Sequence, residues 1–181
     1  TLSIGHCHAL AKTFEFFDNN IARIILDTCG IDDAEFASIL QGVLKVDSIS
    51  TIIYRRNIFQ EQSLHQLSLI LDKKIPNHLE VLAIENCFTE AHVIRGLMDA
   101  ANKRYQIKKL SLIKAKINTS IMNKQICQHV LNSSFLTHLD LSHNQLLLSD
   151  LDKLLQILTQ DQSLQYLNVS MNQLHSGKDG R

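Results

Sequence analysis

Near the start of the chain, His6, Cys7 and His8 have side chains that can bind a metal ion. Neighbouring side chains on a helix or a strand point in different directions, so these residues do not converge on one ion. A structural zinc site takes about four ligands, and no second cysteine or histidine pair here has zinc-type spacing. The sequence therefore predicts no metal site, and no motif in it indicates a cofactor.

A second candidate for chemistry is a cysteine–histidine pair, Cys127 and His129, of the kind that can activate a thiolate nucleophile. The two residues are two positions apart in a predicted helix, where side chains do not face each other. Carboxylates that could act as acid and base are scattered over a helix end, a strand and a cap, at Asp18, Asp27, Asp32 and Asp33. No glycine-rich loop that could hold a phosphate occurs. We therefore expect a protein that is not an enzyme and has no small-molecule substrate.

The composition is that of an ordinary globular domain without a charge bias. The 181 residues include 18 basic and 18 acidic side chains, and 45% of them are hydrophobic. Nucleic acids and anionic membranes attract proteins with a basic excess, so neither is an expected partner. No apolar run approaches the roughly 18 residues that a membrane-spanning helix needs. The single proline argues for one domain, and the absence of an initiator methionine leads us to expect a piece of a longer protein.

The stretch around residue 140 carries the clearest pattern in the chain. Its residues fit the spacing L-x-x-L-x-L-x-x-N-x-L, typical of a leucine-rich repeat, at Leu136, Leu139, Leu141, Asn144 and Leu146. The two leucines of L-x-L point to one side of a short strand, because side chains alternate along a strand. The asparagine stands where the chain leaves the strand, and its amide can bind backbone groups that the turn leaves unpaired.

The same pattern recurs along nearly the whole chain. Repeats start near residues 21, 49, 79, 107, 136 and 164, at intervals of 28, 30, 28, 29 and 28 residues, and the last repeat is truncated. Apolar residues at helical spacing lie between the predicted strands. Residues 1–20 fit the end of a truncated repeat, in which Leu2 and Ile4 close a strand. The pattern predicts one α/β solenoid domain over residues 1–181, with parallel strands on a concave face and helices on a convex face.

This pattern resembles the ribonuclease-inhibitor-like class of leucine-rich repeats, which alternates the motif with a helix in units of roughly 28 to 29 residues. The position that this class fills with asparagine or cysteine carries Cys29, Asn57, Cys87, Asn144 and Asn172. Ala115 departs from it, because a methyl group cannot bind the turn backbone. Ribonuclease inhibitors, Ran GTPase-activating proteins and tropomodulin-like actin regulators contain such repeats. The resemblance implies that another protein binds on the concave face or its rim.

Several polar side chains at the turns are expected to begin the helices. Asp32 and Asp33 precede a predicted helix, whose first-turn N–H groups a carboxylate can accept. Ser149 is the candidate cap in the sixth repeat. In the fourth repeat Thr89 is a poor apolar plug, so we expect it to cap the helix while Phe88 fills the core.

The strand residues between the buried leucines face the concave side and form the expected contact surface. Their central positions change from apolar to polar along the solenoid, as Ile25, Ile53, Ala83, Ser111, Asp140 and Asn168. Exposed apolar patches often mark interfaces, and arginine and tyrosine are common at interface hot spots. The candidate partner-binding residues are Ile25, Ile53, Arg55, Arg56, Val81, Glu85, Lys109, Asp140, His143 and Tyr166. Two other interpretations stay open: a further repeat could cover the apolar patch, and charges on adjacent strands could pair with each other.

These patterns favour a protein–protein interaction scaffold with an unidentified protein partner. One alternative is a regulatory subunit of an enzyme, for example a GTPase-activator-like leucine-rich-repeat protein. Another is an extracellular recognition domain, which glycans at the sequons of Asn118, Asn132 and Asn168 would support. The four cysteines are expected to be free thiols, which favours an intracellular, cytoplasmic protein. Neither end shows a polar cap, so the chain is expected to be marginally stable or to self-associate.

Overall fold

The computed structural model describes residues 2–14, 16, 21–72, 78–103, 105–159 and 163–174. Its strands are β1 (Arg23–Asp27), β2 (Thr51–Arg55), β3 (Val81–Glu85), β4 (Lys109–Ser111), β5 (His138–Asp140) and β6 (Tyr166–Asn168). Its helices are α1 (Ile4–Phe14), α2 (Asp33–Val43), α3 (Glu61–Leu71), α4 (Ala91–Ala101), α5 (Thr119–Ile121), α6 (Cys127–Asn132) and α7 (Leu148–Leu158). A π-helical segment, Met122–Ile126, joins α5 to α6.

The strands form one parallel six-stranded sheet whose order follows the chain from β1 to β6. The pairs keep one register throughout, so the same repeat position lies side by side in Ile24, Ile52, Leu82, Leu110, Leu139 and Leu167. Successive helices pack on one another behind the sheet. The expected α/β leucine-rich-repeat solenoid is confirmed, with the strands on its concave face and the helices on its convex face.

The hydrophobic core lies between the sheet and the helices. Strand residues alternate between this core and the concave face, so Ile52 is fully buried at its repeat position. Tyr54 stands where most repeats have an aliphatic residue, and its ring stacks on Phe36 with 3.7 Å between the ring centroids. The Tyr54 hydroxyl donates to the carbonyl oxygens of Ile31 and Ile58, 3.2 and 2.9 Å away. Burial raises the pKa of this phenol well above its usual range, so it stays a neutral donor.

The asparagines of the repeat motif bind the turn of the preceding repeat. Asn144 Oδ1 accepts hydrogen bonds from the backbone N–H groups of Ala115 (2.9 Å) and Ile117 (3.0 Å). Its Nδ2 donates to the carbonyl oxygens of Leu112, Leu141 and Ser142. Asn57 and Asn172 make the equivalent bonds in their own repeats. These amides satisfy buried turn groups that no strand or helix could pair.

Cysteine and alanine at the same position support the neighbouring turn less. Cys87 Sγ donates to the carbonyl oxygen of Tyr54 at 3.4 Å, and burial raises the pKa of this thiol to about 11, so it stays protonated. Ala115 is buried and has no polar side-chain atom. In the fifth repeat, the backbone N–H group of Ala115 donates to Asn144 of the next repeat. The Ala115 side chain makes no hydrogen bond to the turn of the fourth repeat.

The residue before the asparagine position has a left-handed backbone in each of these repeats. The φ angles lie between 50° and 56° for a row of residues that we call the turn row: Thr28, Arg56, Asn86, Lys114, His143 and Met171. This conformation is costly for residues other than glycine. In the first five of these residues it directs the N–H group to the next turn, and Thr28 N, for example, donates to the carbonyl oxygen of Arg55 at 3.1 Å. The turns thereby hold the side chains of the turn row along one edge of the sheet.

The N-terminal residues form a helix and not the end of a strand. The prediction that Leu2 and Ile4 close a strand is wrong, because α1 begins at Ile4 and both side chains are exposed. The buried face of α1, which packs on α2, consists of Cys7, Ala11 and Phe14. A β-carbon on Gly42 of α2 would lie 2.5 Å from the carbonyl oxygen of Ala11. This glycine permits the close approach of α1 and α2.

The two aspartates before α2 have different roles. Asp32 caps α2 as predicted, and it forms a capping box with Glu35. The prediction for Asp33 is wrong: its carboxylate accepts hydrogen bonds at the start of α3 in the next repeat, from the N–H groups of Gln60, Gln62 and Ser63. The Gln60 side chain at the N-cap of α3 makes no capping bond of its own, so Asp33 replaces it.

Two other turn predictions are also wrong. Ser149 lies inside the first turn of α7, and Asp150 supplies the acceptor for the N–H group of Leu147 (2.9 Å). In the fourth repeat Thr89 is buried, whereas Phe88 is 62% exposed. Thr89 occupies the last apolar position of the repeat motif, and this position faces the core. Phe88 stands one residue earlier and therefore points outward.

The helical segment of the fifth repeat buries side chains at steps of four residues, at Met122, Ile126 and Val130. Four residues are more than one turn of a regular α-helix, so side chains at this spacing would gradually rotate away from the core. The π-helical segment Met122–Ile126 has more residues in its turn and keeps the three side chains on one face.

Candidate protein-binding surface

The central positions of the strands form a continuous column on the concave face, as the register predicts. Ile25 is 51% exposed, and Ile53 and Val81 are half-buried, so an apolar patch does reach the surface there. Ala83 is only 3% exposed. The apolar patch therefore consists of Ile25, Ile53 and Val81, with Ala83 as a recessed floor.

Charged residues on β1 to β3 pair with each other across adjacent strands. Arg55 Nε lies 2.5 Å from Glu85 Oε2, and Arg56 Nη2 lies 2.6 Å from Asp27 Oδ1. The Thr28 hydroxyl and the Arg56 guanidinium hold the pKa of the Asp27 carboxyl below its usual range. These pairs are partly exposed and add little stability. These pairs match the interpretation in which charges on adjacent strands pair with each other. The apolar patch is then the part of this surface that remains available for a partner.

The C-terminal strands present polar groups that are held by hydrogen bonds. Asp140 accepts from the N–H group of Ser142 and from Asn168 Nδ2, both at 2.9 Å. The rings of His138 and Tyr166 stack with their centroids 5.6 Å apart. These contacts link the polar side chains of β5 and β6 to one another and to the backbone.

Between these two regions the concave face has a depression of about 330 Å³, which we call the dimple. Its floor includes Ala83 and Ser111, the two smallest side chains of the central column. Of the candidate partner-binding residues, the structure brings seven together around it: Ile53, Arg55, Val81, Glu85, Lys109, Asp140 and Tyr166. Ile25 lies outside the dimple on β1, and Arg56 and His143 belong to the turn row.

The structure also shows an exposed aromatic residue that the sequence analysis assigned to the core. Phe88 stands on the edge of the turn row between two shallow depressions of about 550 and 470 Å³, both of which it lines with Asn86. Lys116 Nζ lies 5.8 Å from the centre of its ring. A strict count along the repeat motif places Phe88 one residue before the buried position, and this count would have identified it as exposed.

The residues first considered for chemistry occupy structural positions. Cys7 and Cys127 are buried in the core. His129 is fully buried, and its Nδ1 lies 2.7 Å from Asn102 Oδ1. Burial lowers the pKa of His129 to about 4, so its ring is neutral at physiological pH. In the part of the chain that the structure describes, no group of three or more histidine, cysteine, aspartate or glutamate residues could hold a metal ion.

None of the helices in the described residues is long and apolar enough to cross a membrane.

No protein-family model matches the chain, and no curated protein matches it in sequence. The fold is similar to that of a solved structure, the tropomodulin C-terminal domain from Caenorhabditis elegans. The sequences are 10% identical, the TM-score is 0.66, and the match covers 84% of this chain and 91% of that chain. At this identity the similarity supports the leucine-rich-repeat fold, and function has to be argued from the surface.

Proposed function

We propose that this chain is a protein-binding leucine-rich-repeat domain that takes its partner on the concave face of the sheet. The observation that carries the proposal is the apolar patch of Ile25, Ile53 and Val81, which reaches into the dimple, on the face of the sheet opposite the described helices. Charged pairs border the patch, as Arg55 with Glu85 and Arg56 with Asp27. An apolar centre inside a polar rim is the usual composition of a protein interface.

We also propose that the repeats are of the ribonuclease-inhibitor-like class. Two features support this assignment: helical segments follow the strands, and the asparagine position binds the preceding turn through Asn57, Asn144 and Asn172. Cys29 and Cys87 take the same position, and each sulfur donates to a carbonyl oxygen.

We infer that the domain acts by binding and not by catalysis, inside the cell. The four cysteines are free thiols, and Cys7, Cys87 and Cys127 are buried. The sequon asparagines use their amides within the fold: Asn118 caps α5, and Asn132 and Asn168 donate through Nδ2. A glycan on Asn168 would stand on the concave face, attached to the same Nδ2 that donates to Asp140. These observations disfavour the extracellular interpretation.

A comparison of two double variants in native extract tests the concave-face proposal. Ile53→Asp with Arg55→Glu changes the concave face, and Leu69→Asp with Arg95→Glu makes the same types of change at exposed positions on α3 and α4. Circular dichroism confirms the fold of both. We expect the first variant to lose a partner that the wild type and the second variant retain. Equal partner lists for all three proteins would contradict the proposal.

A further inference from the structure

The dimple arises from a change in side-chain size along the central column. Ile53 of β2 is followed by Ala83 and Ser111 on β3 and β4, and then by the larger Asp140 on β5. Two small side chains between larger ones leave the depression of about 330 Å³. This volume lies at the small end of the range for ligand pockets, roughly 300 to 1,000 Å³. It is enough for one aromatic or branched aliphatic side chain.

Apolar side chains make up much of the lining of the dimple: Ile53, Val81, Leu82, Ala83, Leu110 and Ile113. Of the polar groups there, Glu85 is paired with Arg55 and Asp140 accepts two hydrogen bonds, whereas Ser111 Oγ has no hydrogen-bond partner among the described residues. An apolar side chain needs no hydrogen-bond partner, because its gain on binding comes from leaving water. The dimple therefore suits an apolar anchor better than a polar ligand.

Two lysines of the fifth repeat, one on its strand and one in the turn after it, have no ion pair with any residue that the structure describes. Lys109 borders the dimple on β4, and Lys114 stands in the turn row. Two other lysines of this repeat are neutralised, Lys108 by Glu80 (2.6 Å) and Lys116 by Glu90 (3.0 Å). Lys109 begins β4 at the border of the dimple, and Lys114 follows Ile113, which lines the dimple beyond the end of β4. They place positive charge on both sides of the dimple.

We propose that the dimple anchors one bulky apolar side chain of an acidic protein segment, and that Lys109 and Lys114 bind carboxylates on either side of that anchor. This inference rests on the proposed concave-face binding and names the chemistry of the partner. A single side chain buried in a pocket supplies most of the affinity of such contacts. Exposed lysine–carboxylate pairs add little affinity each, and they select acidic segments and speed their encounter.

A displayed library of random dodecapeptides, panned on the wild-type protein, tests the proposal without a known partner. The most enriched peptide is synthesised with a fluorophore, and its Kd is measured by anisotropy at low and high salt. We expect enriched peptides to carry an aromatic or leucine residue between acidic residues. Ala83→Phe, which fills the dimple, should raise the Kd about tenfold or more. If that variant does not fold, Ser111→Leu fills the same space.

Charge reversal tests the lysines separately. Lys109→Glu with Lys114→Glu should raise the Kd severalfold at low salt and flatten its salt dependence. The matched control, Lys124→Glu on the convex side, should leave the Kd unchanged, because Lys124 is exposed on the helical layer. The proposal is overturned if the library yields no binder, if the binders lack the acidic–apolar pattern, or if Ala83→Phe binds as well as the wild type. In the last case, loss of peptide binding in the Ile53→Asp, Arg55→Glu variant would leave the concave-face proposal standing.

Discussion

At the scale of single residues, the strongest constraint on the solenoid is the asparagine of the repeat motif. The side chain of Asn144 makes five hydrogen bonds to backbone groups, two as acceptor and three as donor. Without the amide, the N–H groups of Ala115 and Ile117 would lose this acceptor, whereas the carbonyl oxygens of Leu141 and Ser142 would still accept from Asn172 Nδ2 and from the N–H group of Lys114. The equivalent Asn172 is only half-buried, so water can replace its bonds.

We predict that Asn144→Ala lowers the free energy of unfolding by about 3 kcal/mol, and that Asn172→Ala lowers it by about 1 kcal/mol. Urea denaturation monitored by circular dichroism measures both values. The exposed neighbour Gln145 provides the control, and Gln145→Ala should change stability by less than about 0.5 kcal/mol. Similar losses for the two asparagine variants would show that the buried turn groups do not depend on the amide.

The buried ring of His129 makes the stability depend on pH. Its pKa is about 4 in the folded protein and about 6.5 in an unfolded chain, so between these values the unfolded chain binds one more proton. Stability is therefore complete above pH 6.5, declines as the pH falls towards 4, and loses on the order of 3 kcal/mol from this residue. We predict a shallower decline for His129→Gln in urea titrations between pH 7 and 4. Parallel curves for the wild type and the variant would contradict this origin.

At the scale of helices and strands, capping links neighbouring repeats. Asp33 lies at the first position of α2, yet its carboxylate accepts the N–H groups of Gln60, Gln62 and Ser63 at the start of α3. Asp32 caps α2 itself. Two adjacent carboxylates thus begin two different helices, and the convex layer is joined by hydrogen bonds as well as by apolar packing.

We predict that Asp33→Ala destabilises the protein by about 1 to 2 kcal/mol and opens the first turn of α3. Amide hydrogen exchange followed by NMR should show faster exchange at residues 60, 62 and 63. Asp32→Ala is the matched control, and it should speed exchange at the start of α2 instead. Faster exchange at α2 in both variants would mean that Asp33 caps its own helix.

The strands, their register and the buried repeat positions follow from the sequence, because each depends on a spacing inside one repeat. The role of Asp33 does not follow from local rules, because its partners lie 27 to 30 residues away in the next repeat. The error at Phe88 has another cause: side-chain size favoured it as the core residue over Thr89, but the motif spacing decides which of them is buried. The dimple depends on differences in side-chain size across four neighbouring strands, β2 to β5, which a single repeat cannot show.

At the scale of the whole molecule, the first and last described repeats differ. Helix α1 covers part of the core beside α2. In β6 and the turn after it, Leu167, Val169 and Leu174 are only half-buried. Their equivalents one repeat earlier, Leu139, Leu141 and Leu146, are buried. Half-buried apolar side chains beside β6, which pairs with β5 alone among the described strands, favour association.

We predict that the chain self-associates or unfolds at low denaturant concentration. Light scattering after size-exclusion chromatography, over a range of protein concentrations, measures the association. Val169→Lys with Leu174→Lys should reduce it, and Leu69→Lys with Leu131→Lys, at exposed positions on the helices, should not. A wild-type monomer with a sharp, reversible and concentration-independent thermal transition would contradict the prediction.

Site-specific photo-crosslinking tests the concave-face account most directly. A photoreactive amino acid replaces Ser111 in the dimple in one protein and Lys124 on the convex side in another. Both proteins are irradiated in native extract, and the crosslinked peptides are sequenced by mass spectrometry. The account predicts one dominant partner crosslinked through position 111, at an acidic segment with an apolar residue, and no such product from position 124. The same partner crosslinked only through position 124 would contradict it.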